Sequence, residues 1–382
     1  MKAARAIVLA TIAALAQAPA ATALPTMVRL AYGDCAACHV SPQGGGPLTV
    51  YGRGIDQSQS LRGGEYTPSD DALTKGLSVG GRLTQDFRLL LRRQATWAAG
   101  GTRTDVFRPR LMYRNVADIA AGFRASATLT AETTHAPRPA RAYDPPTQAA
   151  TLSVNTALLH YKVSETIEIA GGKDQLPSGI NIPDLAVFIR SRNRLGYYDA
   201  PTQLKMFWNS KRYHVTPFAF APGGNERAGE AESGAGTVAE VDVLGAGRTI
   251  AGVSVLKGVS ESGSRRMLGL HVRLGFGRWG VLAEHDMTTH DRDTLGGARL
   301  PQSTTYAQVF VAMREWLVAS AIAERARVTA PFEEKLTAGA FELSARLASQ
   351  ATVGVGARVQ RDGRTRRTSP SLVVQAAFKT TP

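Results

Sequence analysis

Leu268-Gly269-Leu270-His271-Val272-Arg273-Leu274-Gly275-Phe276 changes character at every residue. Leu268, Leu270, Val272, Leu274 and Phe276 share one face; Gly269, His271, Arg273 and Gly275 share the other. A period of two marks a β-strand with one greasy and one wet side, because successive side chains leave the pleat in opposite directions. The texture recurs along the chain. Leu77, Val79, Leu83, Phe87, Leu89 and Leu91 oppose Ser78, Arg82, Thr84, Asp86, Arg88 and Arg92. Phe123, Ala125, Ala127 and Leu129 oppose Arg124, Ser126, Thr128 and Thr130. Val353, Val355, Ala357 and Val359 oppose Thr352, Gly354, Gly356 and Arg358.

Many of these runs reach ten residues, longer than the five or six usual in a globular sheet and close to the nine to eleven that a tilted strand needs to cross a bilayer. Tight turns (Gly245-Ala246-Gly247, Gly277-Arg278, Asp362-Gly363-Arg364) separate some strands, and polar inserts at 134–150, 175–201, 221–235 and 291–303 separate others. Short turns alternating with long loops predict an all-β fold: a transmembrane antiparallel β-barrel of about sixteen strands, within a range of fourteen to eighteen. Alternation is weakest around 202–220 and 317–328. The last run, Leu372, Val374, Ala376 and Phe378, ends on an aromatic, as closing strands of such barrels do, although Lys379 to Pro382 follow it. A soluble sandwich or propeller would also alternate. Strand length and the absence of a repeat of fixed period favour the barrel.

Three segments are expected. Residues 1–23 read as a secretory signal: Lys2 and Arg5, an apolar stretch from Ala6 to Ala16, and the small-x-small site Ala21-Thr22-Ala23. Residues 24–75 are rich in Gly, Pro and Ser. Residues 76–382 carry the barrel. No apolar run is long enough for a spanning helix. The chain is 43% hydrophobic, 20% charged and carries a net charge of +14, most of it arginine. Export makes nucleic acid an improbable use of that charge. Lipopolysaccharide or lipid headgroups, an anionic partner, or an arginine-lined lumen are better uses. Arg82, Arg88, Arg108, Arg110, Arg114, Arg124 and Arg273 on wet faces would make the lumen positive, unless acidic wall residues pair with them.

The two cysteines of the chain fall in one pentapeptide, Cys35-Ala36-Ala37-Cys38-His39. C-x-x-C-H is the attachment pattern of c-type haem. Both thiols bond the porphyrin vinyls, and the histidine is the proximal iron ligand. One covalent haem c is therefore expected on Cys35, Cys38 and His39, with Arg53 a candidate partner for a propionate. A disulfide or thioredoxin-like pair is the lesser reading, since no βαβ pattern surrounds the motif. No methionine or histidine lies between Val40 and Gly76, so the sixth ligand is open or comes from elsewhere. Met27, His271 and His160 are the leading candidates, with His214 and Met112 behind them. About fifty residues cannot bury a haem alone, so the segment is expected inside or just beneath the barrel as a plug.

With signal, C-A-A-C-H near the mature N-terminus and barrel, the chain resembles outer-membrane monohaem cytochrome–porin fusions, including those linked to extracellular iron oxidation. The run Ser41-Pro42-Gln43-Gly44-Gly45-Gly46 also looks like a segment of haem-bearing outer-membrane proteins from metal-respiring bacteria. The resemblance implies a Gram-negative outer membrane and electron transfer between the cell exterior and a periplasmic cytochrome. No residues match an iron-substrate site. The alternatives are an anion-selective porin with a haem-bearing gate and, third, a peroxidase-like haem enzyme, for which the haem segment lacks a distal histidine.

Overall fold

The computed structural model describes residues 25–33, 35–39, 48–61, 78–79, 83–98, 101, 103–132, 151–182, 187–196, 199–224, 231–292, 298–331, 333–348 and 350–380. The signal, the Ser41–Gly46 run and Arg82 lie outside them. The strands are β1 (Ser78–Val79), β2 (Leu83–Trp97), β3 (Arg103–Ala120), β4 (Phe123–Glu132), β5 (Thr151–Lys162), β6 (Ile167–Lys173), β7 (Thr202–Asn209), β8 (Tyr213–Ala221) and β9 (Ser233–Asp242). They continue with β10 (Thr249–Ser260), β11 (Gly263–Phe276), β12 (Trp279–Arg292), β13 (Ala298–Arg314), β14 (Leu317–Val328), β15 (Glu334–Ala348), β16 (Ala351–Asp362) and β17 (Thr368–Lys379). Each strand from β2 on pairs antiparallel with the next, and β17 pairs back onto β2 from Ser371↔Thr96 to Lys379↔Arg88. Strands β2–β17 thus close a sixteen-stranded barrel, and the two-residue β1 folds back against β2.

The direction of the greasy face separates this barrel from a soluble sandwich. On β11, Leu268, Leu270 and Phe276 are 39%, 53% and 59% exposed, whereas His271 and Arg273 are 5% and 6% exposed. The apolar side faces outward and the polar side is buried inside, the order that lipid requires. Among the described residues no helix is long and apolar enough to cross a membrane; the crossing is made by strands.

The connections sort by end. Residues 121–122, 163–166, 210–212, 243–248, 277–278, 315–316 and 349–350 lie at one end, with the start of β2 and the end of β17. The long connections β4–β5, β6–β7 and β8–β9 leave from the strand ends on the opposite side, together with shorter links such as 261–262. Two expectations are corrected. The supposed insert 291–303 is largely strand, because β12 runs to Arg292 and β13 begins at Ala298. The tight Asp362-Gly363-Arg364 turn belongs to the long-loop end.

The described residues of the insert 175–201 do not stand out in solvent. They fold into the lumen, where Leu176 and Leu195 pack with Phe218, Phe220, Val238, Leu256 and Met267 from the wall. Its short helix, Phe188–Ser191, packs with Ala326, Leu336 and Ala338 through Phe188. This explains the weak alternation at 202–220 and 317–328. There the lumen is filled by protein, so Phe218 and Phe220 of β8 and Ile322 and Ala326 of β14 can be apolar on the inner face too.

Candidate functional site

The haem-motif segment lies across the short-turn mouth. A 3₁₀ turn, Pro25–Leu30, packs on β11 and β12. Val28, wholly buried, joins Ile180, Ile182, Val187, Ile189, Leu282, Tyr306 and Phe310 in an apolar cluster within the barrel. Gly275 permits this approach: a Cβ there would overlap the Val28 carbonyl. Further on, helix α1, spanning Val50–Ser58, is N-capped by Thr49, whose Oγ1 accepts from Gly52 N at 3.0 Å. Its Asp56 is ion-paired with Arg346 Nη1 at 3.0 Å and accepts from Lys379 Nζ at 2.5 Å. Burial alone would push the Asp56 carboxyl up, but Lys379 and Arg346 together hold it below its ordinary value. Leu61 N donates to the Arg346 carbonyl at 2.8 Å, and Arg29 Nη2 to Gln59 Oε1 at 2.5 Å. The segment is thus tied to β11–β12 on one side and to β15 and β17 on the other.

Between these anchors the motif forms one helical turn. Cys38 N and His39 N both donate to the Cys35 carbonyl, at 3.2 and 2.9 Å. In such a turn residues three apart share a face, which puts both thiols on one side. Cys35 and Cys38 are not joined in a disulfide and are half-buried, as is His39, whose backbone bridges Leu48. This donor set fits a covalently bound c-type haem: two reachable thiols on one face, then an imidazole. Tyr32 and Tyr51 meet edge to face beside the motif, with their hydroxyls 2.5 Å apart. That hydrogen bond, with burial adding to it, pushes the Tyr32 hydroxyl up to about 12. Arg53 Nη1 donates to the Leu48 carbonyl at 3.3 Å, within its own segment.

The wall residue that meets the motif is Arg273, which hydrogen-bonds Cys35. Arg273 Nη2 also donates to Glu240 Oε2 at 2.6 Å, and His271 Nε2 donates to Glu240 Oε1 at 2.8 Å. Glu240 sits on β9 and His271 on β11, so the ring crosses β10. It passes over Gly252, where a Cβ would collide with it. The sequence flags His271 and Arg273 as lumenal but offers no sign of Glu240 or of the gap at Gly252.

The other ligand candidates lie elsewhere. His160 Nδ1 meets Glu168 Oε1 at 2.7 Å and its Nε2 meets Ser126 Oγ at 3.1 Å, so both nitrogens are engaged on β5. His214 Nδ1 contacts Asn209 Oδ1 at 3.2 Å. Met112 is buried on β3, and Met27 is half-buried in the Pro25–Leu30 turn. Among the described residues no cluster of three His, Cys, Asp or Glu side chains forms a cage for a metal ion.

Several lumenal arginines are paired with acidic side chains. Arg114 forms a two-pronged pair with Asp86 at 2.6 and 2.5 Å, Arg110 pairs with Glu132, Arg124 with Asp118 at 3.0 Å, and Arg273 with Glu240. Arg88, Arg92 and Arg108 share the inner face of β2 and β3, and Arg92 stands directly across from Arg108 in the register. Like charges opposed across a ladder are destabilising. Acidic wall residues thus offset much of the lumenal arginine charge.

A closed antiparallel cylinder of sixteen strands with an apolar outer belt and polar inner face has the architecture of the porin-type β-barrels of Gram-negative outer membranes. No protein-family model matches the chain, and no curated protein matches it. Solved structures do. A loop-deletion form of OmpT, an outer membrane protein of Vibrio cholerae, aligns at TM-score 0.59 and 10% identity, covering 78% of this chain and all of that one. An anion-selective porin from Comamonas acidovorans aligns at 0.58 and 11%, with the same coverages. The outer membrane channel DcaP of Acinetobacter baumannii aligns at 0.55 and 8%, covering 79% and 99%. At such identities the likeness is one of fold.

Proposed function

We propose that this porin-type barrel is an electron conduit whose N-terminal segment carries one c-type haem, bonded through Cys35 and Cys38 with His39 as proximal ligand. Bound there, the haem supplies a one-electron couple. Around it the chain positions the motif at the lumen wall through Arg273, excludes water with the Val28 cluster, and holds the segment in the mouth through Asp56. The short-turn end faces the periplasm, where a cytochrome would exchange electrons. An extracellular donor or acceptor would approach through the long-loop end. Lipid and lipopolysaccharide surround the outer belt. The observation that carries this reading is the docking of an unbridged C-x-x-C-H turn inside the barrel mouth, with Cys35 on Arg273.

The test is gel electrophoresis of outer-membrane fractions with haem staining, boiled and unboiled. A haem-positive band whose mobility shifts on heating, with mass spectrometry showing one added haem, supports it. A shifting band that carries no haem overturns it.

The second reading is an anion-selective pore whose N-terminal segment is a haem-bearing gate. The opposed Arg92 and Arg108 favour it, and the shared fold with an anion-selective porin agrees. Planar-bilayer recordings separate the two. A large, steady anion current from full-length protein favours the pore; a closed barrel that oxidises and reduces quickly favours the conduit.

A further inference from the structure

We infer that His271 is the wall residue that takes the sixth coordination position of the haem, through Nδ1; this rests on the haem reading above.

Three observations converge on it. The first is place. Cys35 meets Arg273, and His271 is the next side chain on the same inner face of β11, about 6.7 Å along the strand. Phe276 ends β11 at the short-turn mouth, so His271 lies one step deeper into the barrel than the residue touching the motif. The second is chemistry. Glu240 is salt-bridged to Arg273 and accepts from His271 Nε2 at 2.8 Å. In the neutral imidazole the proton therefore sits on Nε2 and the lone pair on Nδ1. An imidazole whose one nitrogen donates to a carboxylate and whose other is a bare lone pair is the form in which histidines bind metals, with the carboxylate fixing ring orientation and raising basicity. The third is an unmet need. The His271 side chain is wholly buried, and Nδ1 has no hydrogen-bond partner. A buried polar atom left so costs stability unless something binds it.

Gly252 adds to this. Any side chain there would push the ring off Glu240 and turn Nδ1 away. Neither rival histidine pairs a carboxylate on one nitrogen with an open second one, since His214 rests on an amide oxygen. Both nitrogens of His160 are engaged, and His214 uses Nδ1 on Asn209. Arg273 is unsuited to the propionates, because it sits at Cys35 and the propionates leave the macrocycle at the edge opposite the vinyl groups.

The experiment is absorption and electron paramagnetic resonance spectroscopy of the ferric full-length protein. Wild type is expected to be six-coordinate and low-spin. His271→Ala and His271→Gln are expected to become high-spin, and millimolar imidazole is expected to restore the low-spin spectrum of the alanine variant. The glutamine retains a donor for Glu240 and guards against simple misfolding, which the heat-shift of the band reports independently. His160→Ala and Met27→Leu are expected to keep the wild-type spectrum. A folded His271 variant that stays low-spin, or a wild type that is already high-spin, overturns this assignment and leaves the haem reading standing. Wild type without covalent haem overturns both.

Discussion

Where a glycine sits between a histidine and its carboxylate, one methyl group decides the geometry of the wall. Gly252→Val is expected to drive His271 from Glu240 and to cost about 1–3 kcal/mol through overpacking, measured as an earlier heat-shift of the barrel band. Asp56 is the corresponding point on the docked segment. Asp56→Asn removes the anion shared by Arg346 and Lys379 and leaves two buried cations; breaking such a pair costs about 3–5 kcal/mol. Limited proteolysis should then cut within 25–61 while the barrel stays intact. The pH dependence follows from the lowered carboxyl. Docking by Asp56 is fully present above its ordinary value of 3.8 and is lost as the pH falls below that, through its depressed folded value. Protease resistance of the segment should therefore hold from neutrality down to about pH 4 and fail below it. At this scale the C-x-x-C-H motif was readable because its five residues are contiguous in the chain. Glu240 was not, because its partner lies two strands away.

Among the elements, the inward segment 174–201 is the one that departs most from expectation. A polar insert between two strands reads as an external loop. Its fate is set by residues of the wall. Asn193 is wholly buried and fully bonded: Nδ2 donates to Asp286 Oδ2 at 2.7 Å and Thr304 Oγ1 at 2.9 Å, and Oδ1 accepts from Thr288 and Gln302 at 3.0 and 2.9 Å. Arg192 reaches Glu334 at 2.9 Å, and Glu324 and Glu284 accept backbone N–H groups of Phe188 and Ile180 at 2.6 and 2.8 Å. Asn193→Ala would leave several of these wall groups without partners, at about 1–3 kcal/mol each. The expected result is a lower denaturant midpoint together with new protease cleavage between 174 and 201 from the long-loop side; unchanged protection would show that the apolar contacts of Leu176 and Leu195 suffice. The same packing explains the strands that alternate poorly. A strand facing water inside must be polar there, but one facing a packed insert need not be.

For the molecule as a whole, the decisive contrast is between two surfaces of one sheet. Leu270 points at lipid with half its area exposed, and its neighbour His271 is sealed within. Leu270→Arg should destabilise the barrel by about 2–4 kcal/mol if it lies near the bilayer midplane, whereas Arg92→Gln on the inner wall should leave stability nearly unchanged and reduce any preference for anions in bilayer recordings. Deletion of residues 25–61 should raise conductance several-fold, since the segment spans the mouth and all sixteen strands close without it. The sequence by itself determined the strands, their approximate number, the outward greasy face and the C-x-x-C-H spacing, because each rests on side-chain alternation or on spacing within five residues. Only the tertiary structure decided that the insert turns inward, that acidic residues offset much of the lumenal arginine charge, and that Cys35 meets Arg273 beside His271. Those outcomes depend on which residues ring closure brings to the same level of the cylinder, and register between distant strands leaves no local mark on the chain.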